Sequence, residues 1–202
     1  KTVRHNESDK ASGTDYGEEL RTLHADYLDE RNRISATTVA ERAHAAWETI
    51  RDHTEVIAVR DNGVLYSYHG EIWRPDGEQV LRETAAEIME SDYSTSVLSE
   101  LEELVRATNT VPREDLGVDC NQVAVANGLL DLDDRTLRDL RPDDYALTQI
   151  PVEYSPSAEA NKWEDFVEEW AADGWADALQ EYVGYCLHIG EIPIHRALLL
   201  VG

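Results

Sequence analysis

Between residues 56 and 77, the spacing of apolar residues changes from a helical period to a period of two, and helical spacing returns afterwards. The run VIAVRDNGVLYSYHGEIWRPDG contains two turn signals, Asn62-Gly63 and His69-Gly70. It therefore predicts an antiparallel meander of three strands. Because helical patterns lie on both sides of this meander, the chain must combine a small sheet with helices, which indicates the α+β class.

Amphipathic helices are predicted before and after the meander. Helical spacing begins at Leu20, and a capping box of Thr38 and Glu41 introduces a second helix. Residues 1–17 are polar and lack apolar periodicity, which predicts an arm or linker. The two helices after the meander have apolar faces made of Val80, Leu81, Ala85, Ile88 and Met89 and of Val97, Leu98, Leu101, Leu104 and Val105.

The second half of the chain predicts further hairpins and then two more helices. Apolar residues alternate around the turn signal Asn127-Gly128 and again around residues 133–136. Residues 145–154 (YALTQIPVEY) are predicted to form another strand. The apolar faces of the last two helices consist of Trp163, Phe166, Val167 and Trp170 and of Leu179, Tyr182, Val183, Cys186 and Leu187.

The charge of the chain is strongly acidic, with 42 Asp and Glu residues against 18 Lys and Arg and a net charge of −24. Only Lys1, Lys10 and Lys162 are lysines. A surface rich in carboxylates and poor in lysine stays soluble at high salt, so the composition predicts a halophilic source. The alternative is an acidic protein that mimics DNA or binds a basic partner. Because the carboxylates are spread along the whole chain, haloadaptation is favoured.

Aspartates and cysteines often bind metals, but in this sequence they do not have the spacing that metal sites need. Asp131, Asp133 and Asp134 follow a predicted strand, where carboxylates more often cap a turn than bind a metal. Cys120 and Cys186 are far apart and lack a CxxC partner, so we expect two buried thiols. The sequence therefore predicts neither a metal site nor a catalytic residue.

Three aromatic residues of the meander, Tyr66, Tyr68 and Trp73, raise the question of nucleic-acid stacking. That use normally requires cations between the rings, and only Arg60 and Arg74 are near in sequence. Packing within the core is therefore the favoured interpretation. His44 and His53 are nine residues apart, which is off the spacing of paired ligands on a helix, so we interpret them as surface histidines.

No apolar run approaches the roughly 20 residues of a membrane-spanning helix, and we expect a soluble, cytoplasmic protein without membrane partners. The sequence begins at Lys1 without a signal-peptide pattern. It ends at Gly202, directly after the apolar run 197–201. We therefore expect it to be a segment of a longer protein.

Several segments, taken in order, carry a resemblance to a known family. They are Asn127–Leu132, Leu147-Thr148, Pro151–Tyr154, Trp163–Phe166, Leu179–Leu187 and Ala197–Gly202. In this order and spacing they resemble the domain that immediately precedes the superfamily 3 helicase core in phage, plasmid and poxvirus primase-helicases. The resemblance covers roughly residues 55–202, and the meander is similar to the aromatic hairpin that opens this domain.

The resemblance implies a division of the chain and a role for its last residue. Residues 1–34 would be a polar arm, residues 35–192 the connecting or collar domain, and residues 193–202 the first strand of an AAA+-like ATPase core. Gly202 would be the first glycine of the phosphate-binding loop, and the only nucleotide-site residue within the sequence. The Lys and Ser/Thr of that loop and the acidic residues that bind Mg²⁺ would lie beyond it, so the segment alone would not hydrolyse ATP.

The resemblance further implies that the parent protein is an ATP-dependent replicative DNA helicase, fused to a primase, from a plasmid, virus or integrated element of a halophile. ATP and Mg²⁺ would be its cofactors, and it would assemble with itself into a ring, expected to be a hexamer. From Asp144 onward the sequence has eleven acids against Lys162 and Arg196, which disfavours DNA binding by this segment. We therefore expect DNA contacts to come from missing regions.

Three alternatives remain open at this point. The chain could be an acidic module that recruits a basic replication partner without forming a ring or hydrolysing ATP. It could be a hydrolase that uses Asp131, Asp133, Asp134 and a histidine with a metal. It could also be a folded spacer with no activity of its own.

Overall fold

The computed structural model of the chain describes residues 12–170 and 174–187, with side chains described from residue 18 to 169 and from 174 to 187. The fold is α+β, as predicted. The chain divides into two compact units. The first unit comprises the residues up to Tyr68 and Arg74–Arg113, and the second comprises His69–Trp73 and the residues from Glu114 onward.

Four helices form most of the first unit, and the predicted positions of the second, third and fourth are confirmed, whereas the first begins at Ser12 and not at Leu20. They are α1 (Ser12–Arg33), α2 (Val39–Ile50), α3 (Gly77–Met89) and α4 (Thr95–Thr108). The capping box at the start of α2 is present: the Glu41 backbone N–H donates to Thr38 Oγ1 at 3.2 Å, and the Thr38 N–H donates to Glu41 Oε2 at 2.9 Å. Backbone hydrogen bonds from Thr38 and Thr37 lower the pKa of the Glu41 carboxyl to about 2.

Helix α1 begins within the polar segment 1–34 that the sequence analysis assigned to an arm. Its Leu23 and Tyr27 are buried in the core of the first unit, with Leu20 and Leu28 packed against that core. The apolar residues recur at helical spacing, so one face of α1 leaves water when it packs on its neighbours. The part of the segment that α1 occupies is therefore core rather than linker.

The first sheet has the strand order β3-β2-β1-β4. Its strands are β1 (Val56–Val59), β2 (Leu65–Tyr68), β3 (Trp73–Arg74) and β4 (Thr110–Val111). Strands β1 and β2 pair antiparallel across the predicted turn, where Gly63 has φ +68° and the Val64 N–H donates to Asn62 Oδ1 at 3.1 Å. The predicted meander is thus present, and the sheet gains β4, which pairs parallel to β1 and was not predicted.

The core of the first unit lies between the helices and one face of this sheet. Strand β1 is buried along its whole length, and β2 alternates, with Leu65 and Ser67 buried. The largest side chains in this core that are almost fully buried are Tyr27, Ile50, Leu65, Leu81, Ile88, Met89, Leu101, Val56, Val97 and Val105. Their removal from water supplies the main driving force for folding this unit.

The second unit is built on a three-stranded antiparallel sheet in the order β5-β6-β7. Its elements are β5 (Gln122–Val125), β6 (Gly128–Asp131), β7 (Leu137–Arg138), α5 (Asn161–Trp170) and α6 (Ala176–Tyr185). Ala124, Leu129 and Ala146 form a small buried cluster. The hairpins that were predicted around Asn127-Gly128 and residues 133–136 are confirmed.

The predicted strand over residues 145–154 is wrong. Only Ile150 pairs as a strand residue, in an isolated bridge to Val125. Tyr145 has a left-handed backbone with φ +48°, and Pro151 has no N–H to donate. Backbone hydrogen bonds still hold the segment, but to scattered partners: the Ile150 N–H donates to the Ala124 carbonyl at 2.9 Å, and the Trp73 N–H donates to the Ala146 carbonyl at 2.8 Å. Side chains add to them, since Gln149 Nε2 donates to the Val125 carbonyl at 3.1 Å and Asn127 bonds the backbone of Tyr154 in both directions.

Residues 193–202, which were assigned to the first strand of an ATPase core, lie outside the described residues. The predicted domain boundaries therefore remain predictions at that end. In the part of the chain that the structure covers, no helix combines the length and the apolarity needed to cross a membrane.

Candidate functional site

An acidic cleft of about 440 Å³ opens on the surface of the second unit. Its lining residues are Glu114, Asp115, Gly117, Val118, Asp119, Gln122, Arg138, Asp143, Asp144 and Tyr145. Five of these ten residues are carboxylates and one is an arginine. A cleft of this charge repels phosphates, so it does not suit a nucleotide or nucleic-acid backbone.

In the acidic cleft, the guanidinium of Arg138 forms an ion pair with the carboxylate of Asp144. Arg138 Nη2 and Nη1 donate to Asp144 Oδ1 and Oδ2 at 2.6 Å and 2.8 Å, and the Arg141 N–H donates to Asp144 Oδ2 at 2.8 Å. These hydrogen bonds, with that of Arg138 first, lower the pKa of Asp144. The bidentate pair joins β7 to the turn at Pro142–Asp144, which gives it a structural role.

Asp144→Asn is expected to lower the free energy of unfolding of the second unit by about 1 kcal/mol at pH 7, because it weakens this charge-assisted pair. The carboxyl pKa is depressed in the folded state. Its contribution is therefore fully present above the ordinary carboxyl pKa and is lost as the pH falls through the depressed pKa of the folded state. Urea unfolding at pH 7 and near pH 3 measures this, and the difference from the parent chain should be smaller at the lower pH. Asp143→Asn, a change at the exposed neighbouring carboxylate, is the matched control, and an equal loss in both variants would contradict the assignment.

The cluster of Asp131, Asp133 and Asp134 caps a turn, as predicted. Asp131 Oδ1 accepts from the Asp133 N–H at 2.9 Å, and Asp134 Oδ1 accepts from the Thr136 N–H at 2.9 Å and its hydroxyl at 2.7 Å. The Thr136 hydroxyl and N–H lower the pKa of Asp134. Asp133 Oδ2 accepts from Asn121 Nδ2 at 2.9 Å. The carboxylates thus serve the backbone of the β6–β7 connection.

Among the described residues, no three His, Cys, Asp or Glu side chains are grouped so that they could hold a metal ion. His44 is exposed, and His53 Nε2 lies 3.7 Å from Asp26 Oδ2 at the surface. These observations give no support to a metal-dependent hydrolase in this part of the chain.

The expectation of two buried thiols is wrong, because Cys120 and Cys186 are both exposed. Cys120 lies in the turn that leads into β5, and Cys186 directly follows α6, which buries none of its residues. Apolar periodicity marked Cys186 as part of a helical face, but none of the described elements buries that face.

The aromatic residues of the meander divide between core and surface. Trp73 is buried, donates its indole N–H to the Pro142 carbonyl at 2.9 Å and stacks on Tyr145 with ring centroids 5.9 Å apart. Tyr66 and Tyr68 are half-buried, because the alternation of β2 points Leu65 and Ser67 into the core instead. The prediction of core packing therefore holds fully for Trp73 and in part for the two tyrosines.

Sequence reasoning missed a polar junction centred on Asp92 in the first unit. Arg31 Nη1 and the Tyr27 hydroxyl donate to Asp92 Oδ2 at 2.6 Å and 3.2 Å, and Arg42 Nη1 lies 3.8 Å from Oδ1. Burial, followed by the charge of Asp92, raises the pKa of Tyr27 to about 12. Because these residues are up to 65 positions apart, no local pattern could have identified the junction.

Gly202, the one predicted nucleotide-site residue, lies outside the described residues, and its assignment remains a prediction. The geometry of the described residues therefore defines an α+β domain whose polar clusters hold the fold together. A family model described as D5 N terminal like matches residues 43–171. The chain belongs to this family, which is associated with primase-helicase proteins. No curated protein matched the sequence.

Proposed function

We propose that the chain is the connecting domain of an ATP-dependent replicative DNA helicase that is fused to a primase. The observation that carries this proposal is the family match over residues 43–171, which includes most of both units. In this account the domain lies immediately before the ATPase core and couples primer synthesis to unwinding. ATP and Mg²⁺ would bind to the parent protein beyond Gly202.

The second part of the proposal is that the domain helps subunits assemble into a ring, expected to be hexameric. The support is physical: exposed apolar side chains such as Val39, Leu137 and Phe166 offer interface area. Salt would suppress the repulsion between acidic subunits.

Multi-angle light scattering of the chain in molar KCl tests this assembly. We expect a molar mass of several chains at high protein concentration, falling toward one chain on dilution. A strict monomer at every concentration would contradict the collar role and would leave the family assignment intact.

We propose that the source is a plasmid, virus or integrated element of a halophile. The midpoint of thermal unfolding should then rise steeply as KCl is raised toward molar concentration, because salt screens the repulsion within a chain of net charge −24. Circular dichroism during heating measures this midpoint. Sucrose at equal osmolality is the control for general solute exclusion, and a midpoint that KCl leaves unchanged would argue against haloadaptation.

A second candidate function is a binding module for a basic replication partner. The observation that favours it is the apolar face of α6, which no described element buries, on a strongly acidic pair of helices. This candidate is compatible with the connecting role, because one face of a domain can bind a partner while another contacts its own subunits.

A further inference from the structure

Helix α6 has an apolar stripe with no covering element in the described part of the chain. Leu179 and Val183 lie on one side of α6, and Trp175 and Leu187, just before and just after the helix, continue the same spacing of four residues. Leu179 is half-buried. Trp175 is 64% exposed, Val183 41% and Leu187 42%, and no residue of α6 is buried. We define these four residues as the α6 stripe. Such periodicity normally marks a face that packs on another element, so an uncovered stripe is a candidate docking surface.

The charge around the α6 stripe restricts what can cover it. Helix α5, which contacts α6, carries four carboxylates, and α6 carries Asp177 and Glu181. Lys162 is the one cation on the two helices, so their net charge is −5. On α6, the helical period of 3.6 residues places Asp177 and Glu181 outside the stripe, so the stripe itself is apolar on an acidic pair of helices.

This charge argues against a second copy of the same surface and favours a cationic partner. Two copies would bring the same negative field together, which costs free energy. A helix with apolar residues at helical spacing would cover the stripe. Lys or Arg beside those residues would be attracted by the negative charge of α5 and α6.

We propose that the α6 stripe docks a basic amphipathic helix of a partner protein. Trp175 is the expected anchor, because a large exposed aromatic side chain typically contributes most of the binding energy at such surfaces. The net negative charge of α5 and α6 raises the association rate and selects cationic partners. This inference rests on and deepens the second candidate function, a module that binds a basic partner, and is independent of the helicase function.

The test uses the full chain and a labelled synthetic helix of about 18 residues, made of Leu and Lys with Leu on one face. Fluorescence anisotropy measures its dissociation constant. A scrambled peptide of identical composition is the control for charge alone. We expect the amphipathic peptide to bind at least about tenfold more tightly than the scrambled peptide.

Trp175→Ser should weaken binding of the amphipathic peptide by about tenfold or more. Val152→Ser is the matched control, because Val152 is 62% exposed in the same unit and lies outside both helices. It should change the dissociation constant by less than about twofold. Both positions are exposed, so neither variant is expected to unfold the chain.

Three outcomes would overturn the proposal. Equal binding of the amphipathic and scrambled peptides would show that charge alone is responsible. Equal effects of Trp175→Ser and Val152→Ser would place the peptide elsewhere. A self-association of the chain that Trp175→Ser abolishes, with no peptide binding by the dissociated chain, would show that a second copy is the occupant.

Discussion

Gly128→Ala is expected to destabilise the second unit by about 2–4 kcal/mol, through a steric clash and backbone strain. Gly128 begins β6 with φ +145°, a conformation that residues with a side chain rarely adopt. A Cβ at this position would lie 2.3 Å from the Arg138 carbonyl oxygen and 3.2 Å from its carbon. Because both contacts are with the backbone of β7, the sheet itself would have to move.

Urea unfolding and amide hydrogen exchange of the β5–β7 residues measure this loss. Gly117→Ala is the matched control in the same unit, because Gly117 also has positive φ, at +97°, but a Cβ there would contact nothing within 4 Å. It should cost only the backbone strain, about 1 kcal/mol. Equal losses in the two variants would show that the close approach of β6 and β7 is not the cause.

Leu101→Ala is expected to lower the free energy of unfolding of the first unit by about 2–5 kcal/mol. Leu101 is 0% exposed on α4, within the core that α2, α3 and β1 share. Its truncation removes apolar burial and leaves a cavity that a closely packed interior fills only in part.

Chemical denaturation followed by circular dichroism measures the effect of Leu101→Ala. Leu104→Ala, on the same helix at a half-buried position, should cost less than half as much, since less apolar surface is lost. If the two losses were equal, the position of α4 against the core would be incorrect.

Local signals predicted much of this fold from the sequence. Asn62-Gly63 fixed the β1–β2 turn, because Gly63 adopts positive φ at little cost and Asn62 bonds the backbone beside it. The capping box of Thr38 and Glu41 located the start of α2. These signals act within a few residues, so the sequence contains all that is needed to recognise them.

The predictions that were wrong or incomplete concern features that depend on contacts between residues distant in sequence. Strand β4 consists of two residues that become a strand only by pairing with β1, some fifty positions away. Residues 145–154 alternate as a strand would, yet their backbone hydrogen bonds go to residues as scattered as Trp73, Gly117 and Ala124 and not to one neighbouring strand. The burial of Cys186 was inferred from a helical face, and periodicity cannot show whether such a face finds a partner.

In the candidate sites, too, features that depend on neighbouring residues were predicted, and features that depend on residues distant in sequence were not. The turn-capping role of Asp131 and Asp134 followed from their position after a strand, and their hydrogen bonds to local N–H groups confirm it. The junction at Asp92 depends on the packing of α1 and α2, which no local pattern specifies. The family was recognisable from several ordered segments, and the match over residues 43–171 confirms that recognition.

The most direct test of the connecting-domain proposal is to read the source gene for roughly a dozen codons beyond Gly202, the length in which a phosphate-binding loop must appear. The proposal predicts a glycine-rich loop that ends in Gly-Lys-Ser or Gly-Lys-Thr. A stop codon or a polar tail at that point would contradict it, and an acidic binding module would then be the better account.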